Sequence, residues 1–331
     1  MHPQQIALAP QGPCDRGWGT LCLAPQFPPC AVHQSSGPMT DDAPTSRGTP
    51  AQWLTDRAIR AVLWVLLALP YRIRVPLCGW VMARIVAPLA GWPKRIRDNL
   101  ALTLPDLPAD EIARMVARVP DNVGRTVIEI YSGAEFIERA TSLPLTGEGV
   151  AALEAAKAEG RPVILATGHF GNYDAARAAL IARGYPLGAL YRPMSNPWFN
   201  DHYVAAIGTI GQPIFERGRS GMGQMLRHLR AGGMLGILPD QRMVAGEKLL
   251  FFGQEALTAL SAAEMALKYD ALLIPTYAIR QPDGLSFRIV VDAPIAQGTA
   301  IEMTQALNDN LERLIRQHPD QWFWIHRRWK P

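Results

Sequence analysis

The chain has 331 residues, 36.4 kDa, with 33 Lys+Arg against 29 Asp+Glu, a formal charge of +4, and 48% hydrophobic and 19% charged residues. That balance excludes a wholly disordered chain, and the length suits one large domain or two small ones. No heptad or fixed-period repeat occurs, which excludes coiled coils and solenoids. Cys14, Cys22, Cys30 and Cys78 have no CxxC spacing and no nearby histidine cluster, so neither a zinc site nor a disulfide-built fold is expected, and the interior reads as that of a reducing compartment.

Residues 1–50 hold nine of the 28 prolines, five charged residues and no apolar periodicity. A disordered leader is expected there, without the charged, apolar and cleavage regions of a signal peptide, and Met39 offers an alternative start. Residues 51–140 read as a helical, membrane-associating region. Ala61–Pro70 is uncharged but only ten residues long, and Val75–Trp92 is apolar apart from Arg84; neither reaches the roughly 20 residues of a clean span. Between 51 and 100, Arg57, Arg60, Arg72, Arg74, Arg84, Lys94, Arg95 and Arg97 stand against Asp56 and Asp98, a net of +6. Such cations contribute about 1 kcal/mol each at an anionic bilayer surface. Membrane association leads over a pair of core helices with a solvated basic rim, and spanning and interfacial modes both remain open. From 106 to 138 the pattern is helical, with Ile112, Met115, Val116 and Val119 in step.

Residues 141–331 alternate strand and helix. Strands are expected at 162–167, 187–191, 213–216, 234–238, 272–279 and 286–291, and helices near 148–158, 173–183, 197–207, 221–231, 257–269 and 302–317. The fold class is therefore α/β, a mostly parallel central sheet flanked by helices, preceded by the membrane-associating helices. Loops at the carboxyl ends of such strands carry the chemistry.

Strand 162–167 runs into Gly168-His169-Phe170-Gly171-Asn172-Tyr173-Asp174. Gly168 lets the backbone leave the strand, and Asp174 falls in the first turn of the next helix, where the helix dipole favours a carboxylate. Asp174 could then hold one imidazole nitrogen of His169 while the other takes a proton from a substrate hydroxyl. A plain capped strand–helix turn explains the spacing as well. No GxSxG or catalytic CxxC supplies a nucleophile, and no GxGxxG or GxxxxGKS cradles a phosphate. Direct attack of a substrate alcohol on an activated acyl group fits best. Arg192 leaves the strand ending at 191, and Arg217 and Arg219 follow the one ending at 216; guanidinium forks there suit anionic groups, or form surface ion pairs. Asp240 and Arg242 follow another buried strand and join the substrate-binding candidates. Pro275, inside an apolar strand, suggests an edge or a lined cavity. The Trp322–Lys330 tail, aromatics interleaved with cations, reads as a nucleic-acid or membrane patch or as a docked terminal strand.

In order, these segments are HxxxxD, YRPxxNP, GxxIFxR, LPDQ, Phe251-Phe-Gly253, an Ile-Pro strand and WxHRRWK. The series, over roughly 55–331, resembles the lipid A biosynthesis acyltransferases of the lauroyl/myristoyl type, within the lysophospholipid acyltransferase superfamily. Two departures are Asp174, where many members carry Glu, and Ala256-Leu-Thr-Ala259, where a Thr-Thr pair is common. The resemblance implies acyl transfer from acyl carrier protein, or coenzyme A, to a hydroxyl of an acylated disaccharide lipid, without a covalent acyl-enzyme. It implies no metal, organic cofactor or nucleic-acid partner. A lysophospholipid or mannosylated phosphoinositide acceptor, or an inert lipid-docking member, are the rival readings. Since such a donor is cytosolic and such an acceptor lies in the bilayer, the expected location is the inner membrane, with the catalytic domain on the cytoplasmic face and attachment through residues 53–92.

Overall fold

In the computed structural model, which describes residues 48–330, the amino-terminal third is helical. Helix α1, Pro50–Leu67, starts at a capping box: Thr49 Oγ1 accepts from the Gln52 amide, and the Gln52 side chain accepts from the Thr49 amide. Of the expected leader, residues 1–47 lie outside the described residues. Helix α2, Tyr71–Val81, continues through a π-helical stretch, Met82–Val86, into the short turn α3, Ala87–Leu89. Gly91, at φ 69°, turns the chain into α4, Trp92–Thr103; α5, Ala109–Tyr131, and α6, Ala134–Thr141, follow. Among the described residues no single helix is long and apolar enough to cross a membrane. Only the bent pair Tyr71–Leu89 and Trp92–Thr103, meeting at 87°, has the length and composition together.

One face of these helices belongs to the core. Leu63, Leu66, Tyr71 and Val75 pack with Ile128, Phe136, Ala175 and Ile289. The other face is apolar and open: Trp53, Leu54, Val62, Trp64, Val65, Ile73, Trp80, Ile85 and Leu89 are all exposed. Arg74 departs from the expected basic rim. It is buried and donates to Ser132 Oγ, the Leu69 carbonyl and Glu135 Oε2, so it ties α2 to α6. Asp56 is buried too, beside Arg57 and Arg60.

The rest alternates β1 Leu145–Thr146, α7 Val150–Glu159, β2 Val163–Ala166, α8 Tyr173–Ala182, β3 Leu187–Tyr191, α9 Pro197–Ile210, β4 Ile214–Glu216, α10 Arg219–Arg230 and β5 Met234–Ile237. A hairpin of β6, Glu247–Phe251, and β7, Gln254–Thr258, precedes α11 Ser261–Lys268, β8 Leu272–Arg280, β9 Phe287–Val291 and α12 Ala300–Gln317. The central sheet has the order β1-β9-β8-β2-β5-β3-β4 and is parallel except for the β8–β9 pair. The sheet is α/β and mostly parallel, flanked by helices, as the alternation predicts.

Two local expectations change. The helix expected at 257–269 begins only at Ser261, because Gln254–Thr258 pairs antiparallel with Glu247–Phe251. Phe252 and Gly253 both take positive φ, 55° and 70°, the requirement of a tight two-residue hairpin turn. Strand β8 is interior rather than an edge. It accepts Pro275 because that residue pairs with Ala166, where β2 ends, and lies just before the β8–β9 ladder starts at Thr276. The missing N–H thus falls at a corner of the sheet.

Candidate active site

Strands β2 and β5 are sheet neighbours in the register Ala166↔Ile237. His169 lies three residues past the first and Asp240 three past the second, so the topology delivers both side chains to the same point on the carboxyl edge. His169 Nδ1 lies 2.8 Å from Asp240 Oδ1, and the His169 amide donates to Asp240 Oδ2 at 2.7 Å. Trp322 Nε1 donates to the same Oδ2 at 3.0 Å. Burial alone would push the Asp240 carboxyl up. The His169 charge and hydrogen bonds, with the Trp322 indole, outweigh it and hold the group down at about 2. An ionised Asp240 fixes the proton of His169 on Nδ1, and Nε2 becomes the basic nitrogen. Nε2 lies 3.2 Å from Gln241 Nε2, with the ring partly exposed between Tyr173 and Phe323.

Asp174 is not the partner that the HxxxxD spacing suggests. Its Oδ1 accepts from Arg177 Nε at 2.8 Å, with both side chains buried. Arg177 then donates to the carbonyls of Ile207 and Gly211, so the pair bolts α8 onto α9. The cause is the helix itself: Asp174 and Arg177 stand at i, i+3 on one face of α8, and His169 precedes the helix. Arg192 and Arg217 each stand one residue past the registered pair Tyr191↔Glu216 and are exposed, which puts them on the same edge as His169. The Arg217 guanidinium reaches Met243 Sδ at 3.8 Å, next to the Asp240–Arg242 loop. Arg219 opens α10 and is exposed. Arg242 turns toward the tail: its amide donates to His326 Nε2 and its Nε to the Lys330 carbonyl.

An apolar cavity of about 90 Å³ lies between the sheet and helices α8 and α9, and Tyr173, whose ring contacts His169, is part of its lining. Thr167, Tyr173 and Leu238, toward the carboxyl edge of the sheet, and Leu165, Leu180, Leu187 and Ile207 line it, together with the Asp174–Arg177 pair. Among the described residues no group of three or more His, Cys, Asp or Glu side chains comes together as a metal-ligand set.

A sequence model of the family described as "Bacterial lipid A biosynthesis acyltransferase" matches residues 43–331. The chain belongs to that family. It is 26% identical over 290 residues to the lipid A biosynthesis lauroyltransferase of Escherichia coli K12, covering 85% of this chain and 92% of that one. The palmitoleoyltransferase of lipid A biosynthesis from the same organism is 25% identical over 291 residues, with the same coverage of 85% and 92%. A phosphatidylinositol mannoside acyltransferase of Mycobacterium tuberculosis is 24% identical over 245 residues, covering 72% of this chain and 78% of that one.

In this lipid A acyltransferase family member a buried ionic network stands behind the histidine. Gly171, at φ 54°, has no room for a Cβ, which would meet the Ala278 carbonyl at 2.0 Å. Its own carbonyl accepts from Thr126 Oγ1 and Asn122 Nδ2 on α5. Asn172 is fully buried: its Oδ1 caps α8 through the Asp174 amide, and its Nδ2 donates to Glu129 Oε2 at 2.8 Å. Glu129 meets Arg280 of β8 in a two-pronged pair at 2.6 and 2.7 Å. Sequence reading passed over both residues; a lone Glu on the apolar stripe of α5 was the signal. The carboxyl-terminal motif docks without forming a strand, apart from one bridge between Phe170 and Trp322. Trp322, Trp324 and Arg328 are buried, and Arg328 donates to the Leu257 carbonyl and Thr258 Oγ1 of β7. Burial lowers that guanidinium to about 10.

Proposed function

We propose that this acyltransferase moves a fatty acyl chain of the lauroyl or myristoyl class from a thioester of acyl carrier protein to a hydroxyl of a lipid A precursor, with His169 as general base. The observation that carries the reading is the His169–Asp240 pair on the carboxyl edge of the sheet, with the ring of Tyr173, which lines an apolar cavity, against the imidazole. His169 Nε2 takes the acceptor hydroxyl proton as the oxygen attacks the thioester carbon. The C–S bond then breaks, and the departing thiolate takes that proton from Nε2, leaving an ester, a free thiol and the starting histidine. Asp240 keeps the imidazole in the tautomer this cycle needs and stabilises the transient imidazolium. The acyl chain lies in the cavity, and no acyl-enzyme forms. Arg192 and Arg217 bind anionic parts of the substrates from the same edge, with Arg219 and Arg242 in lesser roles.

The exposed apolar face of α1–α3, with Trp53, Trp64 and Trp80 among its members and Arg57, Arg60, Arg72 and Arg84 beside it, supports attachment to an anionic inner-membrane surface, with the catalytic domain on the cytoplasmic face and its active-site edge toward the membrane. The purified chain, mixed with acyl-carrier-protein thioesters and an acylated disaccharide lipid, is expected to form the ester, and His169→Ala to lose about 10²–10⁴-fold in turnover. Transfer only from coenzyme A thioesters reassigns the donor, and transfer only to a mannosylated phosphoinositide reassigns the acceptor. Wild-type turnover in a folded His169→Ala chain refutes the mechanism.

A further inference from the structure

The cavity is shaped by one row of the sheet. Strand register places Leu165, Gly236, Ala189 and Ile214 side by side on β2, β5, β3 and β4, and all four line the cavity. Side chains alternate along a strand, so Thr167 and Leu238, two residues on, share that face one row nearer the carboxyl edge that carries His169. Leu187, two residues before Ala189, lies on the same face one row farther from that edge. Gly236 and Ala189 therefore sit in the row between, about 6–7 Å from Leu238 along the strand.

A glycine inside a paired, central strand needs a reason. Gly236 does not take positive φ, and its backbone makes ordinary ladder contacts on both sides. A Cβ built on it meets nothing closer than the Gly188 carbonyl at 3.7 Å and Leu187 Cδ1 at 3.9 Å. Its neighbour Gly188 differs, since a Cβ there would strike the Phe215 ring at 2.6 Å. Packing requires Gly188, but it leaves the space above Gly236 empty, and that space is part of the cavity. A cavity needs about 10–15 Å³ to hold one water-sized group. The volume of about 90 Å³ exceeds that several-fold, so an apolar chain has room to enter.

We propose that Gly236 is the residue that sets acyl-chain length, because its missing side chain keeps open the space between the Thr167–Leu238 row at the carboxyl edge and the Leu187 row. The inference rests on the cavity being the acyl site. Gly236→Ala adds one methyl into this space and Gly236→Val three carbons, and each shortens the reach of the chain without touching His169 or Asp240.

The test is a chain-length profile, from C8 to C18 acyl-carrier-protein thioesters, for wild type, Gly236→Ala, Gly236→Val and Ala189→Val. The optimum is expected to move to shorter chains in the order Ala, then Val. The longest donor that the wild type accepts should lose about 10-fold or more against the shortest in Gly236→Val. Ala189→Val should shift the profile the same way, as a neighbour in the same row. If Gly236→Val does not fold, Gly236→Ala, whose methyl has room, carries the decision. An unchanged profile in a folded, active variant overturns the proposal, as does an equal loss at every chain length, which would mean strain rather than filling. A wild-type chain that transfers from no donor refutes the acyl-transfer reading itself, a result distinct from either.

Discussion

Replacing Asp240 by Asn tests the site at its decisive atom pair. Three donors converge on this carboxylate: His169 Nδ1 on Oδ1, and the His169 amide and Trp322 Nε1 on Oδ2. An amide has one oxygen to offer them. Placed toward the two fixed N–H groups, it leaves its NH₂ facing Nδ1, which must then be unprotonated, so the proton moves to Nε2 and the base is lost. Placed toward Nδ1, it forces an NH₂ against two N–H groups. The first arrangement keeps more hydrogen bonds and predicts a fall in kcat of about 10³–10⁴-fold, the size expected when an imidazole is locked in the wrong tautomer. Exchanging charge-assisted for neutral hydrogen bonds should cost about 1–2 kcal/mol of stability, so the fold survives. Asp174→Asn should do the reverse. It leaves the buried Arg177 cation uncompensated, at about 3–5 kcal/mol, while kcat in the folded fraction stays within about tenfold of wild type. Single-turnover assays beside denaturant unfolding separate the two effects. A folded Asp240→Asn enzyme near wild-type turnover, with Asp174→Asn inactive yet stable, would refute the assignment and restore the HxxxxD pairing.

Because the Asp240 carboxyl is held at about 2, below its ordinary 3.8, its contribution to stability is complete above pH ~4 and fades as pH falls toward 2. Asp240 therefore stays charged above pH ~4, so its own ionisation should leave no inflection in the kcat/KM profile between pH 4 and 7; a carboxylate inflection there would contradict the pairing. For the membrane face, Trp64→Ser and Leu89→Ser remove side chains that are 74% and 85% exposed, so melting temperature should hardly move. Partition to anionic vesicles should drop about tenfold or more for each, and binding should resist a high-salt wash. Unchanged partition, or complete release by salt, counts against apolar insertion.

Much of the carboxyl-terminal architecture is legible from residues alone, because buried parallel strands read as short apolar runs and their helices as periodic ones. His169 and Asp240 are each recognisable as polar groups at the ends of such runs. Their partnership is not, since it depends on β2 and β5 being neighbours, and strand order is a property of long-range pairing that no local pattern carries. The HxxxxD spacing drew Asp174 toward the histidine, whereas the helix gave Asp174 a nearer cation, Arg177. The β6–β7 hairpin is not legible locally because Gln254-Glu-Ala-Leu-Thr258 has weak strand propensity, and long-range contacts from the tail support it, Arg328 lying over the Phe251 ring and donating to Thr258 Oγ1. Arg74 shows the limit of counting charges: a cation in a basic run can be an interior strut.

The network behind the histidine has a consequence for when the turn around it orders during folding. The turn that carries His169 is held by Thr126 and Glu129 from one side, Arg280 from another and Gln321–Trp322 from a third, and the Glu129–Arg280 pair alone spans 151 residues of chain. Contacts of such long span form late, after the loop-closure entropy has been overcome. The turn that carries His169 is therefore expected to gain its hydrogen-exchange protection together with the carboxyl-terminal tail rather than with the helix α8 that follows it.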